Sequence, residues 1–359
     1  MKKSTLKVGF ITTVSGRWPR DLPKQRDEVY SEYLKTTYPD VEVVKYETIA
    51  VDNNDIKSAA NYFNENRVDL IVMVMGAFTG DFASTYLAER VGVPIVLWTP
   101  FEPPFDGGRL MSNALVASTM NMAAVKRLGH KCYFVYGDHD TKRSQNEIDK
   151  IIKAHKCKKS LANIFLGLVG YRPTAFYSSA FDETVIRNTF GIIMEETDIA
   201  ELMELAKSVD QEQVDEDMAK LQSSVNKSCL PDGYLENHCR LKLGMQKLID
   251  NHEYDAISLK CWPELGNLKC TPCGMISRFS DEDIIIGCEN DVDATITMII
   301  QKLMTDDIPF MSDLIKVDEE KNTVLFWHCG QAGRKIMNSN CPIEMNDHPL
   351  AGQGVAFEG

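Results

Sequence analysis

The chain has 359 residues, of which 44% are hydrophobic and 25% are charged, a balance typical of soluble globular proteins. Its 52 acidic and 39 basic residues give a net charge of −13. This charge argues against nucleic acid as the main partner, because phosphate binding requires a concentrated basic surface. At this length, two or three domains are expected.

The sequence also argues against a membrane partner. No apolar stretch approaches the length of a membrane span. The N-terminal run MKKSTLKVGFITT is typical of a first strand, because it lacks the apolar core and the cleavage site of a signal peptide. Several of the ten cysteines lie inside apolar strand-like runs, namely Cys132, Cys261 and Cys288. We therefore predict a cytoplasmic protein whose reduced thiols act as small buried hydrophobes.

The first 158 residues alternate between strand and helix patterns, which predicts an α/β domain over 1–158. The predicted strands are 7–12, 41–47, 69–75, 94–99 and 132–137, and the predicted helices are 24–36, 54–65, 81–91 and 112–128. Continuous apolar strands between amphipathic helices indicate a parallel sheet that is covered on both faces. In such sheets, ligands bind beyond the carboxyl ends of the strands.

A polar, mostly helical segment at 139–158 leads to a second α/β domain, which we predict over 159–305. Its predicted strands are 163–170, 190–196, 255–261 and 283–289, and its predicted helices begin at Asp182 and cover 198–207, 211–225, 234–250 and 291–304. After Pro309, the runs FMSDLIKVD and TVLFWHC predict two strands around a turn, and VAFEG predicts another strand. The fold class is therefore α/β, with two doubly wound Rossmann-like domains. A β-rich C-terminal domain over 306–359, without further helix, is expected to be incomplete.

Three polar residues occupy strand ends or turns between Lys260 and Gly333, namely Glu289, Asp313 and His328. Each has an ordinary alternative when taken alone. Asp313 could face solvent from its strand, His328 could be a satisfied core histidine, and Asp291 and Asp293 near Glu289 could cap a helix. Together, two carboxylates and an imidazole form a plausible ligand set for a hard or borderline divalent cation.

Other candidates lie in loops that follow strands. Arg17, Trp18 and Arg20 come directly after the first strand, and Phe176 follows the first strand of the second domain. These side chains could contact a substrate or only cover a loop. The pair Cys270 and Cys273, in CTPC, has no second pair to complete a zinc site. It is also predicted to lie away from a helix start, so we expect a structural role for it.

The order of motifs adds information that the single residues lack. The runs KCWPEL, CTPCGMIS, GCENDV, FMSDL and FWHCG, together with SGRWPRDLP and VGYRPTAFY, resemble the L-fucose/L-arabinose isomerase family of metal-dependent aldose–ketose isomerases. The resemblance covers essentially the whole chain. It implies two Rossmann-like domains and a β-rich domain, assembled as a homo-oligomer, a trimer or hexamer. It also implies Mn²⁺ or another divalent cation such as Mg²⁺ or Co²⁺.

The resemblance assigns roles to the three clustered candidates. It implies that Glu289 and Asp313 are catalytic and that both bind the metal together with His328. Family members supply a further metal-binding histidine nearer their C-terminus. His348 lies too early to match it, so that ligand is expected beyond Gly359 and this chain is expected to be truncated, which leaves its own activity open.

The expected reaction moves a proton between C2 and C1 of a sugar through an ene-diol. Which carboxylate is the base stays open, as does the identity of the sugar. Arg17 and Arg20 leave room for a sugar with an anionic substituent. A non-catalytic sugar-binding or regulatory protein of the same fold is the alternative.

Overall fold

The computed structural model describes residues 4–104, 108–350, 352 and 354–358, with only the backbone of 267 and 268. The chain divides into two compact units at Lys159 and Ser160. We call Ser4–Lys159 the first unit and the part that begins at Ser160 the second unit. The domain limits 1–158, 159–305 and 306–359 stay predictions.

The first unit is built on a five-stranded parallel sheet with the order β2-β1-β3-β4-β5. Its strands are β1 (Leu6–Thr13), β2 (Val41–Lys45), β3 (Leu70–Met75), β4 (Ile95–Thr99) and β5 (Cys132–Tyr136). Its helices are α1 (Asp21–Thr37), α2 (Asn53–Glu65), α3 (Phe82–Val91), α4 (Ala114–Arg127) and α5 (Lys142–Leu161). This strand order is that of a doubly wound sheet, whose ligands bind where the order reverses between β1 and β3.

Two apolar layers hold the helices of the first unit against its sheet. One layer joins β3 and β4 to α2, α3 and α4, with Phe63 and Leu87 fully buried in it. The other joins the opposite side chains of the strands to α1 and α5 through Tyr30, Leu34 and Ile152. Because both faces are covered, every residue of β3 and β4 is buried, as the continuous apolar runs predict.

The second unit contains a four-stranded parallel sheet with the order β10-β9-β6-β7. The strands from 160 to 290 are β6 (Phe165–Val169), β7 (Ile193–Thr197), β8 (Lys227–Ser228), β9 (Ala256–Leu259) and β10 (Ile285–Gly287). The helices are α6 (Glu183–Phe190), α7 (Ile199–Lys207), α8 (Gln211–Ser223), α9 (Tyr234–His252), α10 (Cys273–Asp281) and α11 (Val292–Thr305).

The last part of the second unit is rich in strands. An exposed antiparallel hairpin is formed by β11 (Asp313–Asp318) and β12 (Thr323–Trp327). The strands β13 (Glu344–Asp347) and β14 (Val355–Glu358) pair antiparallel, and the short β8 extends their sheet. The predicted α/β class, with two parallel sheets and a β-rich C-terminal region, is confirmed.

Two predictions about helices in this unit are wrong. The sequence predicts no helix at CTPCGMIS, yet α10 begins at Cys273 with Pro272 as its N-cap. Met275, Ile276 and Phe279 are buried, and their helical spacing in the sequence is the pattern that indicates this helix. A 3₁₀ turn at Arg334–Ile336 contradicts the expectation of no further helix after Pro309. It forms because Asp281 accepts hydrogen bonds from the Arg334 side chain and the Lys335 N–H.

Within the described ranges, the helices are all too short or too polar to cross a membrane.

Candidate active site

Glu289 lies at the carboxyl edge of the second sheet, two residues after β10 ends. The turn from β10 into α11 is sharp, because Glu289 and Asn290 both have left-handed backbone angles, with φ of 59° and 49°. Gly287 permits the turn, since a Cβ there would overlap Thr295 of α11. Asp291 caps α11 by accepting the N–H of Ala294 at 2.9 Å. The capping role that the sequence allows for Asp291 is therefore observed, and Glu289 is left to face the strand ends.

The hairpin β11–β12 carries the other two predicted ligands. Asp313 begins β11 and pairs with Trp327, so His328 follows the residue opposite Asp313. Burial raises the pKa of Glu289, the negative charge of Asp313 raises it further, and a positive charge on His328 opposes both. The structure therefore brings Glu289, Asp313 and His328 within electrostatic reach of one another. We call them the carboxylate–imidazole cluster.

The three members of this cluster differ in exposure. Asp313 is exposed, Glu289 is half-buried and His328 is buried. Burial alone would lower the pKa of His328, but a hydrogen bond with Cys329 and the charges of Cys329, Asp313 and Glu289 raise it on balance.

The contacts of the His328 ring limit how it can bind an ion. Its Nδ1 accepts the N–H of Cys329 at 2.8 Å and lies 3.4 Å from the Cys329 Sγ. In this arrangement a neutral ring carries its proton on Nε2. Binding an ion through Nε2 would require the tautomer with the proton on Nδ1, in which the Cys329 sulfur would accept a hydrogen bond from Nδ1 and the bond from the Cys329 N–H would be lost. Two carboxylates and an imidazole nitrogen are donors that suit a hard or borderline divalent ion, but the ligand atoms of Glu289, Asp313 and His328 do not all lie within 4.8 Å of one another.

The predicted substrate-binding residues lie in both units. Phe176 follows β6, at the same sheet edge as Glu289, and its ring packs at 6.0 Å against Trp262. Arg17, Trp18 and Arg20 belong to the first unit, in the loop between β1 and α1. Trp18 stacks on Phe78 at 6.5 Å, whereas the two arginines are exposed. Their contact with substrate stays a prediction.

The second sheet also carries candidates that the sequence did not single out. A cleft of about 670 Å³ lies at its carboxyl edge, lined by Tyr171, Asp198 and Lys260 among others. Next to Tyr171, the Arg172 guanidinium lies 5.3 Å from the ring centroids of both Tyr171 and Tyr177. Arg172 could have been identified as a candidate from the sequence, because it belongs to the same strand-end motif, YRPTAFY, that contains Phe176.

The cysteines of CTPC do not act as a pair. The Cys270 thiol donates to the Thr271 carbonyl at 3.5 Å, whereas the Cys273 Sγ lies 3.8 Å from the Cys329 Sγ. This contact lowers the pKa of Cys329 well below its ordinary value and raises that of Cys273. Cys261 and Cys288 are buried, as predicted, while Cys132 is only half-buried.

Comparison with known proteins finds several relatives that are all sulfoquinovose isomerases. The sulfoquinovose isomerases of Priestia aryabhattai and Priestia megaterium are each 27% identical over 319 residues, which is 88% of this chain and 71% of each relative. That of Alkalicoccus urumqiensis is 24% identical over 272 residues, 75% of this chain and 61% of the relative. These relatives support a sugar isomerase. No family model matches the chain.

Comparison with solved structures finds periplasmic sugar-binding proteins at low similarity. The arabinose-binding component from Shewanella sp. ANA-3 has a TM-score of 0.23 at 13% identity, covering 84% of this chain and 86% of that one. A solute-binding protein from Actinobacillus succinogenes 130z with bound D-allose has a TM-score of 0.22 at 12% identity, covering 89% and 99%. At these scores the likeness supports no conclusion about function.

Proposed function

We propose that this chain is an aldose–ketose isomerase that works through a metal-stabilised ene-diol, with a sugar carrying an anionic group as its substrate. The observation that carries the proposal is that Glu289, which lies at the carboxyl edge of the second sheet, is within electrostatic reach of Asp313 and His328. That edge is where ligands bind in parallel α/β sheets. The sulfoquinovose isomerases, at 27% identity over most of the chain, support the same reaction class.

Each member of the cluster has a role that its environment suits. When bound by these three residues, Mn²⁺ or a similar divalent cation would stabilise the negative charge that develops on the sugar oxygens O1 and O2. Glu289 is half-buried and its pKa is raised, which suits a general base that takes the C2 proton and returns it to C1. Asp313 is exposed and is suited to exchanging protons with the sugar hydroxyls.

An anionic substituent on the sugar would need a cationic partner away from the reacting carbons. Arg172 is suited to this role. Two of its N–H donors bind the Phe176 carbonyl, at 2.9 Å, and the Tyr171 hydroxyl, at 3.4 Å, which leaves further donors of the guanidinium for a ligand. Its planar guanidinium can bind two oxygens of one anionic group. Arg17 and Arg20 of the first unit are the other candidates. The substrate class therefore includes sulfoquinovose, which carries a sulfonate.

The test is a panel of aldoses incubated with the protein and Mn²⁺, in which ketose formation is measured. Sulfoquinovose, its uncharged 6-deoxy counterpart, L-fucose and L-arabinose form the panel. Glu289→Gln is expected to lower kcat by at least about 100-fold, the lower end of what a general base contributes. Glu282→Gln is the matched control, since Glu282 lies outside the cluster and pairs with Lys242.

Further arms of the same assay separate the rival functions. Arg172→Met is expected to raise KM for sulfoquinovose and leave KM for the uncharged sugar unchanged, while the exposed Arg187→Met control changes neither. Arg17→Ala and Arg20→Ala test the first-unit arginines in the same way. A protein that binds a sugar tightly but forms no ketose with any divalent cation would be a sugar-binding protein, and the isomerase proposal would be abandoned. A homo-oligomer and a cytoplasmic location stay predictions.

A further inference from the structure

A second group of possible metal ligands lies beside the carboxylate–imidazole cluster and shares no residue with it. The Sγ atoms of Cys273 and Cys329 and a ring nitrogen of His348 all lie within 4.8 Å of one another. We call these three residues the thiol–imidazole cluster. Cys273 and His348 are buried and Cys329 is half-buried, so the cluster is enclosed by the fold rather than spread over a surface.

The spacing of the two sulfurs suits a bound ion. Two thiolates at the usual Zn–S length of about 2.3 Å and a tetrahedral angle would lie about 3.8 Å apart. The observed Sγ–Sγ distance is 3.8 Å. A disulfide, by contrast, requires the sulfurs to approach to about 2.05 Å. It also requires an oxidant, which nothing in the structure supplies.

Three separate segments build the cluster, and close packing fixes their positions. Cys273 begins α10, and the next residue, Gly274, packs so tightly that a Cβ there would lie 2.5 Å from the Val355 carbonyl oxygen. Gly330, with φ of +97°, brings the turn after β12 against β14, where a Cβ would lie 2.8 Å from the Cβ of Ala356. Both glycines therefore permit close approaches that a side chain would block.

The third ligand is oriented by its own backbone. The Nδ1 of His348 accepts the N–H of Leu350 at 3.2 Å. Coordination through Nε2 would place the ring proton on Nδ1 and give up that hydrogen bond. Cys270, the other cysteine of CTPC, instead donates its thiol to the Thr271 carbonyl. The ligand set is thus one cysteine of CTPC with two residues from distant parts of the chain.

We propose that Cys273, Cys329 and His348 bind Zn²⁺ or another thiophilic cation, at a site separate from the carboxylate–imidazole cluster. The donor chemistry separates the two sites, because thiolates and imidazole favour Zn²⁺ whereas carboxylates favour Mn²⁺ and Mg²⁺. Both cysteines bind as thiolates, and any thiol proton is released to solvent. His348 binds as a neutral ring through Nε2 with its proton on Nδ1, and a water molecule completes the tetrahedron. No oxidation or reduction is involved.

A metal at this site would tie α10, the turn after β12 and the segment after β13 together. The turn after β12 also carries His328, whose Nδ1 lies 3.4 Å from the Cys329 sulfur. In the tautomer that presents Nε2 to the other cluster, a metal-bound Cys329 thiolate would accept a hydrogen bond from the His328 Nδ1–H, in place of the bond that Nδ1 accepts from the Cys329 N–H. Metal binding itself does not depend on isomerase activity, so it can be tested alone.

The test uses the full chain, reduced and stripped of metal by a chelator, in a background that carries Cys229→Ser and Cys341→Ser to remove the two exposed thiols. Zn²⁺ and Co²⁺ are added separately. We expect one equivalent of tightly bound Zn²⁺, and a Co²⁺ complex with the charge-transfer band of thiolate ligation. Cys273→Ser, Cys329→Ser and His348→Asn should each weaken Zn²⁺ binding by more than the roughly 10–100-fold that loss of an outer-shell partner costs.

Matched controls distinguish this site from binding at other thiols and at the carboxylates. Cys270→Ser removes a buried thiol of the same motif and should leave the affinity and the band unchanged. Glu289→Gln should also leave the band unchanged, so failure of the isomerase proposal and failure of this one give different results. In the chain with its exposed thiols restored, Zn²⁺ should slow alkylation of Cys329 but not of Cys229 or Cys341.

Two results would overturn the proposal. One is a Co²⁺ complex of the reduced protein that lacks the thiolate band. The other is a Cys329→Ser variant that binds Zn²⁺ as tightly as Cys270→Ser does. If Cys273→Ser fails to fold, the half-buried Cys329→Ser provides the same comparison, with circular dichroism of the metal-free protein as the check on folding.

Discussion

The carboxyl edges of the two parallel sheets differ in what their polar side chains contact. At the first edge the polar groups serve the backbone. Arg26 donates to the carbonyls of Gly76 and Phe101 at 2.8 and 2.6 Å, and Glu102 accepts the N–H groups at the start of α4. These groups hold loops in place, and their hydrogen-bonding capacity is largely used.

At the second edge, ionisable side chains contact one another instead. The charges of Asp313 and His328 affect the pKa of Glu289, and the charges of Asp313 and Glu289 affect that of His328. Cys329 contacts both His328 and Cys273. The same sheet architecture therefore carries polar groups that hold loops in the first unit and ionisable groups that interact with one another in the second. Asp313 and His328 come from the hairpin β11–β12 and the residue that follows it, whereas Glu289 follows a strand of the sheet itself.

The largest expected effect concerns a buried charge in the second unit. Arg278 binds both oxygens of Asp217 at 2.6 and 2.8 Å, and both side chains are largely buried. Arg278→Met would leave a buried carboxylate without its partner, which costs about 3–5 kcal/mol. Urea unfolding measures the loss. The double variant that adds Asp217→Leu should recover much of it, and no recovery would contradict the assigned role of this ion pair.

Arg26→Met is the corresponding change in the first unit and should cost less. It leaves neutral carbonyls rather than a charge, so the expected loss in the free energy of unfolding is about 1–3 kcal/mol. Lys24→Met, on the same helix but exposed, is the control and should lie within about 0.5 kcal/mol of the parent. If Arg26→Met destabilised the chain as much as Arg278→Met, the distinction between the two edges would fail.

The pH dependence of stability involves one histidine from each unit. Burial lowers the pKa of His238 to about 3, with nearby Arg278 adding to the effect, and burial lowers that of His155 to about 4. Between these values and the unfolded pKa of about 6.5, the unfolded chain binds more protons than the folded one. The contribution of these two histidines to stability is therefore full above about pH 6.5 and falls as the pH drops, by about 2 kcal/mol at pH 5 for the fully buried His238 and by less for the half-buried His155, which solvent partly screens.

Thermal unfolding measured from pH 7.5 to 4.5 checks this slope. His238→Gln should reduce the pH dependence of stability that comes from the second unit. His155→Gln should reduce the part that comes from the first unit. A profile that stays unchanged in both variants would show that neither histidine is held neutral by the fold.

The smallest expected effect on stability concerns the proposed active site itself. Asp313 is exposed at the start of β11, so Asp313→Asn should change the free energy of unfolding by no more than about 0.5 kcal/mol while it lowers isomerase turnover. Asp318→Asn, in the same strand, is the matched control for charge. Loss of activity accompanied by unfolding would place Asp313 in the scaffold rather than in the site.

Much of the architecture followed from local pattern. Apolar runs such as DLIVMVM correctly predict buried parallel strands, and Asp182, Asp198 and Asp291 cap helices where their positions indicate. The helix at Cys273 was missed because its motif contains Pro and Gly, which favour a turn locally. Burial of Met275 and Phe279 in the core outweighs that preference, and burial is a property of the packed chain.

The order of strands and helices and the parallel sheets were within reach of the sequence. The grouping of Glu289 with Asp313 and His328 was expected from the order of motifs, although Asp313 and His328 belong to a separate hairpin. The thiol–imidazole cluster was not. Cys273 and Cys329 are 56 residues apart, and His348 comes later still, so no spacing rule links them. Their contact depends on how closely Gly274 and Gly330 let α10 and the hairpin turn approach β14, and only the packed tertiary structure decides that distance.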